Sequence, residues 1–218
     1  MALFFGENSL WKRKRLSSQA GMMTRAIFLI LGFLAITGCT RIDTNFGMAS
    51  TPLETSRSAV AASPYNVRKI NVDVPRSLSV SEANAYFPRA DIVWRGDPFG
   101  DRHAQVARIM QSGLEKGTGA LRGRTPVVLD IRVQRFHALS DKARYSFGGV
   151  HNIVFAMQIR SAATGQVVQP WRLINAEFPA AGGTAAIEEE RRGLTQKVLI
   201  ERRLAQVIQY ELSATPAN

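Results

Sequence analysis

The chain has 218 residues, a formal net charge of +11, 45% apolar residues and a single cysteine. One cysteine excludes an internal disulfide and any cysteine-paired metal spacing. The length suits one folded domain plus extensions.

Residues 1–21 contain the basic cluster Trp11–Arg15, but Met22 and Met23 stand directly before Thr24-Arg25. Residues 1–21 therefore read either as an extension upstream of the true start or as a long charged leader, and they are set aside for fold reasoning. From Ala26 to Ile36 the chain is apolar apart from Gly32, with Arg25 as a positive flank and the small residues Thr37 and Gly38 before Cys39. The run is too short for a comfortable transmembrane helix, which needs about 20 apolar residues. The order of charge, apolar run, small residues and cysteine is that of a secretory signal. Ile36-Thr37-Gly38-Cys39 resembles the lipobox of bacterial lipoproteins. The resemblance implies cleavage between Gly38 and Cys39, a diacylglycerol on the Cys39 thiol and acylation of the new amino terminus. An uncleaved anchor is the alternative. Multiple acyl chains give stable attachment. By the sorting rule familiar from enteric bacteria, Thr40 points to the periplasmic face of the outer membrane, with the inner membrane as alternative. Cleavage also removes Lys12, Arg13, Lys14, Arg15 and Arg25 against one acid, Glu7, so the mature chain is less basic than the whole. Its spread-out charge and export argue against a nucleic-acid partner.

Residues 39–65 are rich in Ser, Thr, Ala and Pro without apolar periodicity, which predicts a flexible tether. A domain over 66–213 and a tail at 214–218 follow. Ile70, Val72 and Val74 alternate with polar residues, a strand signal closed by Pro75. A short helix started by Ser81-Glu82-Ala83 is expected within Leu78–Phe87, then a short strand over Ala90–Trp94. Val106, Ile109, Met110 and Leu114 make one helical face after Asp101, a candidate N-cap, with the end near Leu121. Gly117, Gly119 and Gly123 read as a helix stop and turn.

Val127, Leu129, Ile131 and Val133 share one strand face, as do Ile153, Phe155, Met157 and Ile159. A hairpin setting Val133 against Phe155, Ile131 against Met157 and Leu129 against Ile159 makes every core residue meet another. Continued without interruption, this register sets His137 against His151. That pair is a candidate metal or pH site, although a half-buried cross-strand pair is the plainer reading. The loop from Leu139 to Gly149 is expected to be mobile, and its aromatics Tyr145 and Phe147 are candidate interaction residues. A further antiparallel strand over Val167–Phe178 carries Pro170, which suits an edge or a bulge. Ile187, Leu194, Val198, Ala205, Ile208 and Leu212 then predict one long final helix, with Thr184 as cap. His103 and the Glu188–Arg192 run read as surface.

Strands with one apolar face need a cover, and two amphipathic helices supply it. The expected fold is α+β, a two-layer sandwich of a mainly antiparallel sheet of about five strands covered by two helices. This layout is similar to that of small envelope lipoproteins that assist lipid transport, including auxiliary lipoproteins of ABC-type systems. The chain also resembles an uncharacterised family of small proteobacterial lipoproteins. These resemblances bring no functional residues with them. No catalytic, cofactor-binding or metal-binding motif is present, and Gly-Xaa-Ser-Xaa-Gly and His-Glu-Xaa-Xaa-His are missing. The expectation is a non-enzymatic, membrane-anchored protein with an envelope protein partner. A small-ligand binder (lipid or solute) is the alternative, and a hydrolase is third.

Overall fold

A computed structural model describes residues 63–213. The signal, Cys39, residues 39–62 of the expected tether and the 214–218 tail lie outside the described residues, whereas Tyr65, expected to end the tether, opens the first strand and is buried. The fold is α+β. A six-stranded sheet has the order β1-β3-β4-β5, where β1 is Tyr65–Asp73, β3 Thr125–His137, β4 Gly149–Ser161 and β5 Val167–Asn175. Two short strands sit off this path: β2 (Ile92–Val93) pairs with β3, and β6 (Phe178–Ala180) pairs with β4. Both β1 and β2 run parallel to β3, whereas β3–β4, β4–β5 and β4–β6 are antiparallel, so the sheet is mixed.

The hairpin forms in the expected register as far as Val133, with Leu129 against Ile159, Ile131 against Met157 and Val133 against Phe155. All six are buried. After Val133 a bulge shifts the pairing, so that Phe136 meets Ile153 and His137 meets Asn152. His137 and His151 are therefore not opposite each other. Strict alternation would have turned Arg135 and His137 inward and Phe136 outward. The bulge reverses this, and Phe136 is fully buried. Burying a phenylalanine gains roughly 1.5–3 kcal/mol, while an unpaired buried guanidinium costs several kcal/mol. That difference outweighs one disturbed rung.

Helix α1 (Arg102–Thr118) begins at Asp101, whose side chain accepts from the Ala104 N–H, and ends at Gly119, a little before the expected Leu121. The final helix is two. Helix α3 (Gly183–Arg191) stops at Arg192-Gly193, and α4 (Gln196–Ser213) starts afresh. Gly193 adopts φ +74°. Its N–H donates to the Glu190 carbonyl and that of Leu194 to Glu189, the paired bonds of a Schellman stop. Thr184 is not the cap: α3 starts after Gly182 without a side-chain cap. The buried face of α4 is Ile200, Leu204, Val207, Ile208 and Leu212, while Ile187 is exposed.

Helices α1 and α4 supply the apolar cover of one sheet face. Their closeness depends on Gly113 and Gly117, one turn apart on α1. A Cβ on Gly113 would meet Leu204 Cβ at 2.8 Å, and one on Gly117 would meet Ile208 Cγ2 at 2.4 Å and the Ala205 carbonyl oxygen at 2.5 Å. The other sheet face is mixed, with Trp171 and Leu173 exposed among charged residues. Asp130 there accepts from Asn71 at 2.8 Å and pairs with Arg160, while Arg132 pairs with Asp73 and lies over Trp171.

The segment expected to hold a helix, Leu78–Phe87, contains none. Its backbone is taken by β2: Val80 bridges to Ile92, and the Ser81 N–H donates to the Ile92 carbonyl at 3.0 Å. Glu82, needed to start the helix, instead gives its carboxylate to Arg102 and its carbonyl to Arg95. The strand expected over Val167–Phe178 also divides, because Asn175 folds its side chain onto the Glu177 N–H at 2.9 Å. Pro170 lies on β5, the edge strand, as its missing donor requires.

Gly117→Ala should test the helix contact. Alanine is the better helix former by about 1 kcal/mol, yet overpacking here should lower stability by about 1–3 kcal/mol net. Urea unfolding followed by circular dichroism measures it; unchanged or raised stability would refute the contact.

Candidate functional site: an aromatic groove at one end of the sheet

At the end of the sheet where β3 finishes and β4 begins lies a groove of about 790 Å³. Tyr86, Phe87 and Phe147 are its aromatic members; Arg89, Asp91, Arg135 and His137 are its titratable ones. Volumes of 300–1,000 Å³ with few convergent polar groups are usual for binding clefts. The aromatic side is assembled from two distant stretches. Tyr86 and Phe147 stack at 4.9 Å between ring centroids, and Phe87 lies 6.2 Å from Phe147. Phe87 is 80% and Phe147 60% exposed. Lys142 Nζ stands 4.5 Å over the Tyr86 ring, within cation–π range.

Two anchors hold these stretches in place. Arg102, itself buried, grips Glu82 through Nε (2.7 Å) and Nη2 (2.9 Å) and donates to the carbonyls of Asp97 and Pro98. The loop after β3 is not left slack. Ser140 caps a short helical turn, α2 (Asp141–Arg144), by accepting from the Ala143 N–H, and its hydroxyl donates to the Ala85 carbonyl. Asn84 accepts from the Lys142 N–H at 2.8 Å, tying the two stretches side by side. Gly148 (φ +76°) and Gly182 close the loop: a Cβ on Gly182 would fall 2.0 Å from the Gly148 nitrogen.

Phe147 thus stands in the groove as an exposed aromatic. Tyr145 is exposed but does not line the groove; its hydroxyl donates to Glu190 at 3.1 Å. Glu190 also accepts from Arg144 Nε at 2.8 Å, so the acidic run of α3 serves as a brace beyond a solvated face. Asp141 pairs with Arg95 and not with a histidine. His103 is half-buried, its Nε2 3.2 Å from the Leu78 carbonyl oxygen. Among the described residues, no group of three or more His, Cys, Asp or Glu side chains is placed to hold a metal ion. No helix among them is long and apolar enough to cross a membrane.

The histidines have separate surroundings. His137 lies in the groove, where Arg135 Nη2 donates to its Nδ1 at 3.1 Å. That bond leaves the ring proton on Nε2. Burial, with the Arg135 charge second, lowers its pKa below 6.5. His151 is fully buried, its ring 4.8 Å from Phe178. Burial, helped by Arg144, lowers its pKa to about 4. Neither ring nitrogen of His151 nor the Nη1 and Nη2 of buried Arg144 has a protein partner.

The groove's other wall, Tyr86 and Phe87, escaped the sequence reading because a helix was expected there. The signal lay in Tyr86-Phe87-Pro88, two aromatics before a proline that opposes helix continuation.

A protein-family model described as a family of unknown function (DUF6778) matches residues 65–218. No curated protein matches the chain. Among solved structures, a Caulobacter crescentus CB15 protein classed provisionally as a lipoprotein is 13% identical, with 72% of this chain and 90% of that one covered at a TM-score of 0.35. A Xanthomonas campestris protein from the DUF330 family is 12% identical, covering 69% and 87% at 0.40. PelC from Paraburkholderia phytofirmans, a dodecamer, is 16% identical, covering 69% and 90% at 0.31. Likeness at these TM-scores carries no argument for this chain.

His151 makes stability depend on pH. Below pH 6.5 the unfolded chain protonates this residue while the folded one does not until about pH 4. Stability should therefore fall by on the order of 3 kcal/mol as pH drops through that window and level off below it. Denaturant unfolding from pH 7 to 4 should show this slope in the wild type and lose that share in His151→Leu. Parallel curves for the two would refute the assignment.

Proposed function

We propose, for a chain that belongs to the family of unknown function DUF6778, a non-enzymatic envelope lipoprotein whose folded domain docks a protein partner through the aromatic groove. Cys39 carries the lipid after cleavage behind Gly38, and the protein resides at the periplasmic face of the outer membrane. Support for the anchor comes from the sequence order of Arg25, the apolar run, the small residues and Cys39.

The observation that carries the docking role is the exposed Phe87–Phe147–Tyr86 cluster on the rim of a large open groove. Exposed aromatics cost solubility, and clusters of them mark interaction sites. The supports beneath them are rigid: a capped helical turn, a buried arginine clamp and a glycine closure. Preorganised aromatics bind with less entropy loss. A small apolar ligand in the same groove is the second reading, favoured by its volume of about 790 Å³.

Two measurements test the proposal. The intact mass of the membrane-extracted protein should equal residues 39–218 plus acyl chains, and Cys39→Ala should lose the acyl mass; an unmodified chain would remove the anchor. Phe147→Ser should reduce co-purification of envelope partners at least tenfold while leaving the circular dichroism spectrum unchanged. Undiminished co-purification would remove the groove from the docking role.

A further inference from the structure

We infer that the groove selects an acidic peptide segment, one carrying a carboxylate beside an aromatic or large aliphatic side chain. The inference rests on the docking role just proposed and specifies the chemistry of the partner.

Cationic groups face the groove in excess. Arg89 and Arg135 line it, and neither has a carboxylate partner among the described residues. The single carboxylate on the lining, Asp91, accepts from the Ser79 N–H and hydroxyl at 2.9 and 2.7 Å and feels the Arg135 charge without forming an ion pair, so the lining keeps a net positive charge. Arg135 Nε is buried without a protein partner. Its Nη2 is spent on His137 Nδ1, which leaves the His137 Nε2–H as a further donor of the groove. Guanidinium groups are weakly hydrated and pair strongly with carboxylates, so Arg89 and Arg135 are recognition elements for an anion. Opposite them stand Phe147 and Tyr86, stacked, with Lys142 adding charge over the Tyr86 ring. Donors for an anion and an apolar wall thus share one cleft.

A lipid headgroup would offer an anion too, but cations and an aromatic wall sharing one cleft suit the adjacent acidic and aromatic side chains of a peptide. The described chain begins beside the opposite end of the sheet, where Tyr65 pairs with Thr125 and Ser63 donates to the Leu212 carbonyl. The groove lies at the His137 end of β3, and 13 residues of strand separate the two ends. At about 3.3 Å per residue this is roughly 40 Å. The described chain thus enters the sheet at the pole away from the groove.

Selection from a random hexapeptide library on the full chain in detergent tests this. Peptides with Asp or Glu beside Phe, Tyr, Trp or Leu should be enriched. They should bind at least tenfold more weakly to the full chain carrying Arg89→Gln and Arg135→Gln, and to peptides with the acids amidated. Arg135→Lys, which keeps the charge, should retain part of the affinity, and an unchanged circular dichroism spectrum of the double variant shows that its loss is not misfolding. No enrichment, a consensus without acids, or unchanged binding to the double variant would overturn the inference. So would saturable binding of phosphatidylglycerol vesicles that Phe147→Ser abolishes in the absence of peptide enrichment, which would point to a lipid surface instead. If Phe147→Ser still removes partner co-purification while the acidic consensus is missing, the groove keeps its docking role and only its charge preference falls.

Discussion

The competition between Phe136 and Arg135 for the interior decides the geometry of this domain. A strand that had alternated faithfully through His137 would have driven a guanidinium and an imidazole into the apolar layer. One inserted residue after Val133 avoids that cost. Phe136 joins Trp94 in an edge-on contact at 5.8 Å between ring centroids. Arg135 and His137 are delivered together to the groove. The same irregularity that completes the core therefore furnishes the polar half of the candidate site, and the two cannot be altered independently.

A second constraint acts from the opposite layer. Helices α1 and α4 approach closely because α1 presents glycine at two successive turns. This closeness gains dispersion contacts at the expense of helix propensity. Helix α1 also starts with the residue that organises the long segment before it, since Arg102 gathers Glu82, Asp97 and Pro98. Residues 75–101 have little regular structure, yet they hold Tyr86 and Phe87 in place through that clamp and through Ser140 and Asn84. Irregular backbone is tolerable at a site when its polar groups are satisfied by such partners.

Much of this architecture was legible in the residue pattern. The apolar faces of α1, β3 and β4 follow their periods, and the hairpin register follows from pairing those faces. Three features were not. Periodicity over Leu78–Phe87 says nothing of the bonds that Ile92, Arg95 and Arg102 make with that segment from afar. The seven-residue spacing from Ile187 to Leu194 disguised a helix stop, although Gly193 was the available cue. The bulge was detectable in principle, because Phe136 breaks the alternation, but only a comparison of burial costs shows which side chain wins. Of the groove, Phe147 was visible as a loop aromatic and the opposing wall was not, because the two halves are 60 residues apart in the chain.

The parallel pairing of β1 with β3 has a mechanical consequence. The N-terminal end of β1 lies at one pole of the sheet and the groove at the other. A pull applied between the N-terminal end of β1 and the groove would run along the strands. Such a load shears the β1–β3 bonds together instead of opening them one at a time. Along that line the sheet is loaded in shear, the direction in which its ladder is strongest.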